Sequence, residues 1–311
     1  MEYVKSVRSS MKKAVLCVTL IMILCCILLV GCNDIVDDTV QVVCTIFPQY
    51  DFCKQIAKDL INVDVLLKSD VDVHNYELTL KDKNKIKNCD LFFYIGGTSE
   101  GWVDAVKNST DLDNVKMVKL LDSVDCEDSH DHEDSTCDEH IWTSLKNAIK
   151  ICATIKDSLC STYPQYVDEF NSNYQVYISE LASLDSQFEH LINNADKDTI
   201  VVADRFPFKY FTEDYGLNYL SAFEGCSSAT DVPILTKIAL KNALNDFNLK
   251  GVIVLESGDR TLANSLIEGT NKKIFAMHSC QTIKASDYEN GVTYLDLMQN
   301  NYRVLEEVLY D

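Results

Sequence analysis

One amphipathic pattern, running from Pro164 to about Asn194, constrains this chain more than any other feature. Phe170, Tyr174, Ile178, Leu181, Leu184, Phe188 and Ile192 recur at steps of three and four residues, the period of one buried helix face. At about 1.5 Å per residue such a helix is roughly 45 Å long, more than a single small lobe needs. The pattern predicts a stiff helix that joins two lobes.

Strand and helix signals alternate on both sides of it. Before it, Val40 to Phe47, Val63 to Leu67, Leu91 to Ile95 and Val115 to Leu121 read as strands. Helical spacing covers Asp51 to Leu60, Leu78 to Asn88 and Trp102 to Val106, and His140 opens a helix that runs to about Ser161. After it, the expected strands are Thr199 to Ala203, Leu217 to Phe223, Gly251 to Leu255 and Lys273 to Met277. Helices are expected over Phe208 to Tyr215, Pro233 to Phe247, Thr261 to Glu268 and Tyr294 to Leu309. Such alternation implies parallel βαβ units. The fold class is therefore α/β: two lobes, each a mainly parallel sheet flanked by helices, joined by one long backbone helix. An apolar content of 47% is ample for two cores.

The N-terminus reads as a secretion signal. Lys5, Arg8, Lys12 and Lys13 precede an apolar run from Ala14 to Val30, and Leu29-Val30-Gly31-Cys32 closes it. Small residues before Cys32 match the bacterial lipobox, in which that cysteine takes the lipid anchor. A signal anchor is the alternative, since the run approaches a membrane-spanning length. Either reading places the rest of the chain outside, held at the outer face of the bacterial cell membrane. The expected organisation is a signal peptide over 1–31, a tether over 32–39, an N-terminal lobe over 40–161, a linking helix over 162–196 and a C-terminal lobe over 197–311.

Removing residues 1–31 takes four basic residues and Glu2 from totals of 28 and 48. The remaining 24 Lys and Arg face 47 Asp and Glu, a formal charge of −23. That excludes nucleic acid, whose binding needs a basic footprint. It suits cations, and equally a self-repelling monomer surface. Nine cysteines follow Cys32 without a CxxC pair. Cys44, Cys53, Cys89, Cys152 and Cys160 lie in apolar contexts and read as buried thiols. Cys126 and Cys137 are open to either a disulfide or metal ligation.

Two histidines carry the chemistry. Asp72-Val73-His74-Asn75-Tyr76-Glu77 and Asp138-Glu139-His140-Ile141-Trp142 each set an imidazole beside carboxylates and an aromatic. Neutral imidazole is the commonest nitrogen ligand for transition metals, and adjacent carboxylates orient it. Residues 122–139 hold nine Asp and Glu, no Lys or Arg, and two further histidines, His130 and His132. This stretch reads as a mobile acidic loop able to gather metal. In the second lobe Asp204, Glu256 and His278 fall at carboxyl ends of strands, the edge where ligands bind in open α/β sheets.

These motifs resemble the solute-binding lipoproteins of zinc and manganese ABC importers, from about Val42 to the C-terminus. Ile46-Phe47-Pro48-Gln49-Tyr50-Asp51-Phe52 resembles that family's first strand-to-helix turn. The two histidine motifs resemble its Asp-Pro-His-x-Tyr-Glu and Asp-Pro-His-x-Trp, with Val73 and Glu139 in place of proline. The resemblance implies His74 and His140 as metal ligands. A third histidine usual in the second lobe is absent, and Asp204 is its substitute, with Glu224 and Cys226 as fallbacks. His278 stands where the family's final acidic ligand follows the last strand. Three nitrogens and one oxygen suit tetrahedral Zn²⁺, while Mn²⁺ favours more oxygen. The resemblance implies Zn²⁺ (alternatively Mn²⁺ or Fe²⁺) captured between the lobes and delivered to a permease and its ATPase. A surface adhesin of the same family and a surface metallohydrolase are the alternatives. No HExxH pair supports an enzyme.

Overall fold

A computed structural model of the chain describes residues 40–68, 76–109, 112–125, 137–225 and 231–311. Val40–Asp311 forms one compact unit containing two α/β lobes. In the first, β1 (Val42–Cys44), β2 (Val63–Val65), β3 (Leu91–Tyr94) and β4 (Lys116–Lys119) form an all-parallel sheet of order β2-β1-β3-β4. Val42 pairs with Val63 on one side and Leu91 on the other. The second sheet repeats the plan. β5 (Thr199–Val202), β6 (Asn218–Ser221), β7 (Gly251–Leu255) and β8 (Lys273–Met277) run parallel in the order β6-β5-β7-β8. The chain reverses direction across each sheet between β1 and β3, and between β5 and β7. Those are the positions where α/β sheets open a crevice.

The first strand is shorter than its β-branched run suggests. Gln49 Oε1 accepts Thr45 N–H (2.9 Å) and the Thr45 hydroxyl (3.0 Å), which turns the chain. Pro48 then fits the first helical turn. Helix α1 (Phe47–Ala57) starts four residues ahead of the Asp51 expected from its periodicity. The rest of the first lobe carries α2 (Leu80–Asn88), α3 (Trp102–Ser109) and α4 (Leu145–Thr162). A 3₁₀ turn over Ile141–Thr143 follows His140, and Ser144 caps α4 by accepting Asn147 N–H (3.0 Å), so that helix begins later than expected. The acidic stretch is ordered at both described ends. Leu120–Ser123 is a 3₁₀ turn, Cys137 Sγ lies 3.2 Å from the Tyr210 hydroxyl, and Asp138 and Glu139 are fixed by contacts described below.

The long helix is present as α5 (Val167–Asn193), 27 residues after a 3₁₀ turn at Pro164–Tyr166. Its buried face touches both lobes. Asn173 Nδ2 donates to Ile56 O (3.0 Å) in α1. Towards the other end Phe188 meets Phe211 edge-on at 5.0 Å, and Asp185 Oδ1 accepts the Tyr215 hydroxyl at 2.6 Å. Both partners lie in α6 (Lys209–Tyr215), which ends on Gly216 at φ 67°. The second lobe is completed by α7 (Ile234–Asp246), α8 (Thr261–Ile267), α9 (Ala285–Glu289) and α10 (Tyr294–Leu309). α9 has no counterpart in the expected elements. A single apolar core runs from the first sheet through α5 to α10, and a smaller one fills the space between α7, α8 and the second sheet. Among the described residues no helix is long and apolar enough to cross a membrane.

Candidate metal centre

His140 sits at the entrance to α4, only 5% exposed. Asp138 Oδ1 accepts its backbone N–H at 2.8 Å and lies 2.9 Å from its Nδ1. A carboxylate there accepts a hydrogen bond from Nδ1–H and leaves the ring lone pair on Nε2, the tautomer a metal ligand needs. Burial opposes ionisation of Asp138, but its hydrogen bonds with the His140 ring and backbone outweigh it and hold the carboxyl below its ordinary range.

Glu139 turns the other way. It accepts Thr98 Oγ1 (2.6 Å), Ser99 N–H (3.0 Å) and the Ser99 hydroxyl. Those bonds hold it ionised against the cost of burial. The side chain crosses so close to Gly97 that a Cβ there would stand 2.1 Å from its Cδ. Only glycine admits this crossing.

The His140 turn also holds the lobes together. Trp142, 2% exposed, donates its Nε1 proton to Ser279 O (2.9 Å), and Trp142 O accepts the Tyr294 hydroxyl (2.6 Å). Phe47 N–H donates to Gln281 O (3.1 Å). Between these ties lies a cavity of about 10 Å³, lined by Ile95, Ser99, Glu100, Glu139, His140 and Gln281 among others. Glu100 comes from the loop after β3 and is 3% exposed. Its Oε2 accepts Gly96 N–H (2.8 Å), whereas its Oε1 is buried without a hydrogen-bond partner. Burial pushes this carboxyl up to about 7, against the pull of Thr45 and of the Gly96 N–H.

In the second lobe, His278 leaves β8 with its backbone N–H donated to Asn301 Oδ1 (2.7 Å). Its Nδ1 accepts Cys280 N–H (2.9 Å) and stands 3.6 Å from Glu256 Oε1. That bond puts the neutral ring's proton on Nε2. Burial lowers its pKa, outweighing the Glu256 and Asp287 charges. Glu256 itself accepts Ser279 N–H (3.0 Å) and the Ser279 hydroxyl (2.6 Å), tying the ends of β7 and β8. Asp204 follows β5. Its Oδ1 accepts Arg205 N–H (2.8 Å) and its Oδ2 accepts Leu255 N–H (3.2 Å), with burial raising its pKa. Gly258 leaves room for it, since a Cβ there would lie 1.9 Å from Asp204 Oδ2.

His140 and the segment after His278 are thus brought to one interlobe seam. His278 and Asp204 do not line the cavity beside His140. Among the described residues no three His, Cys, Asp or Glu gather closely enough to hold a metal ion. His74, His130, His132, Cys32, Cys126 and the fallback Cys226 lie outside the described residues. The fallback Glu224 is exposed. Cys137 is disulfide-bonded, so its thiolate is not available to metal. The other described cysteines are free thiols, with Cys44, Cys53, Cys89 and Cys152 buried and Cys160 half-buried. Glu100 and Gln281 carry no motif of their own. The signals were Gly96-Gly97 closing β3 four residues before a lone acid, and a polar residue three places after His278.

A family model described as "Zinc-uptake complex component A periplasmic" matches residues 42–308. The chain belongs to this zinc-uptake component family. It is 30% identical over 302 residues to the zinc-binding lipoprotein AdcA of Streptococcus pneumoniae, covering 91% of this chain and 59% of that protein. The chain therefore spans a little over half the length of that relative. It is 26% identical over 290 residues to the high-affinity zinc uptake system protein ZnuA of Bacillus subtilis, covering 90% of both. The Zn(II)-bound ZnuA-like domain of Streptococcus pneumoniae AdcA matches with a TM-score of 0.74 at 26% identity, over 88% of this chain and 100% of that one. The Bacillus subtilis metal-dependent lipoprotein YcdH matches equally well, with a TM-score of 0.74 at 26% identity over 87% and 99%. The two-lobed plan of the zinc-uptake family is the plan seen here.

Proposed function

We propose that this chain captures a divalent cation, zinc before manganese, between its lobes and delivers it to an ABC importer permease driven by its ATPase. The observation that carries the reading is the Asp138–His140 pair, a buried imidazole set in the ligand tautomer at the interlobe cavity. The zinc named in the relatives' descriptions supports the choice of metal. The protein acts by binding and release rather than by catalysis.

His140 and His74 are the first-lobe ligands in this reading. His278 and Asp204 are the second-lobe candidates. His278 reaches the ligand tautomer when its Nδ1 exchanges the Cys280 N–H for Glu256 Oε1, 3.6 Å away. His130 and His132 gather metal ahead of the site. Cys32 carries the lipid that holds a monomer at the outer face of the cell membrane, after a signal peptide over 1–31. A tether over 32–39, lobes over 40–161 and 197–311, and a linking helix over 162–196 complete the organisation. The bridging helix α5 and the Trp142–Ser279 bond keep closure small, so docking on the permease must loosen the seam for release.

Calorimetric titration of metal-free protein tests this. Zinc binds the wild type with one site, and His140→Ala weakens it by at least about 100-fold, the scale on which metal sites respond to their ligand shells. Equal affinity in the two proteins refutes the site.

A further inference from the structure

We infer that Glu100 supplies an oxygen to the cation held at His140, and that this carboxylate sets how the site ranks manganese against zinc. The inference rests on the metal-binding reading above and deepens it.

Glu100 stands in a place chosen by the fold. It follows β3 at the point where the first sheet reverses direction, in the short 3₁₀ turn Thr98–Glu100. One oxygen anchors it, Oε2 on Gly96 N–H. The other, Oε1, is buried without a hydrogen-bond partner, and the residue lines the same cavity as His140. The nearby Thr45 hydroxyl pulls on the Glu100 carboxyl, but its hydrogen bond goes to Gln49 Oε1 at 3.0 Å. Buried polar atoms are nearly always satisfied, so an orphan carboxylate oxygen on a residue that lines a cavity marks the seat of an absent donor or cation. A space of about 10 Å³ takes one small occupant. Glu139, the other acid lining the cavity, has its oxygens occupied by Thr98 and Ser99. Glu100 is the acid whose oxygen is still to be matched.

Hard carboxylate oxygen suits Mn²⁺, whereas imidazole nitrogen suits Zn²⁺. Adding Glu100 to an imidazole site therefore helps manganese more than zinc. Glu100→Gln keeps the shape and an acceptor for Gly96 N–H while removing the charge. The expected result is a loss of manganese affinity at least about tenfold larger than the loss of zinc affinity, read by titrating metal-free protein with each metal. Glu100→Asp, which keeps the charge but withdraws the oxygen by one methylene, carries the same test if the glutamine variant does not fold. Metal-free melting establishes which variants fold. Equal losses for both metals, or affinities within twofold of wild type, overturn the inference. If the wild type binds neither metal, or His140→Ala binds both normally, the underlying reading fails instead.

Discussion

Asp138 Oδ1 lies 2.9 Å from His140 Nδ1 and accepts the His140 backbone N–H at 2.8 Å. One carboxylate oxygen therefore fixes the ring's tautomer and the chain's direction at once. Asp138→Asn keeps an acceptor but loses the charge that raises the ring's basicity. Zinc affinity is expected to fall about 10- to 100-fold, the range for partners behind a metal-ligating histidine. Competition with a chelator checks it, with metal-free melting as the control for folding.

Trp142 ties the first lobe to Ser279 O through a fully buried N–H. Trp142→Phe leaves that carbonyl unpaired and shrinks the ring. Denaturant unfolding should show a loss of about 1–3 kcal/mol.

Asp51 is buried in α1, where it accepts the Tyr177 hydroxyl (3.3 Å), Tyr294 N–H (3.1 Å) and Gln55 Nε2 (3.2 Å). Burial dominates and, with a contribution from Asp296, pushes its pKa up to about 6, against those bonds. The folded form then holds a proton that the unfolded chain, titrating near ~4, has released. Stability from this group is full below about pH 4 and is lost as pH rises through about 6, a change on the order of 3 kcal/mol. Asp51→Asn should remove that slope from urea unfolding measured between these limits.

Cys137 is oxidised while Cys44, Cys53, Cys89, Cys152, Cys160 and Cys280 are not. Alkylating unfolded, unreduced protein should label those six and leave Cys137 unmodified until a reductant is added. Peptide mapping by mass reads the result.

Much of the fold was legible because its signals are periodic. The three- and four-residue steps of Phe170, Leu181, Leu184 and Phe188 produced α5, and short apolar runs rich in β-branched or aromatic residues marked the strands. The boundaries that moved did so through single polar contacts, such as Gln49 ending β1 and Ser144 delaying α4. Such contacts leave no period to read. The candidate site divides in the same way. His140 is marked by its neighbours in the chain, whereas Glu100 and Gln281 meet it only through folding, across 40 and 141 positions. Composition makes the acidic run a mobile loop, yet Asp138 and Glu139 are fixed by partners outside it. Composition reports what a segment can bury, not which of its members another loop will hold.

The seam between the lobes is fastened to the main chain of the segment after β8. Trp142 and Phe47 both donate to backbone carbonyls there, those of Ser279 and Gln281. Mutation of either side chain leaves its carbonyl in place. This stretch can therefore drift in sequence, retuning the chemistry it offers an ion, while the clasp that aligns the halves is inherited unchanged.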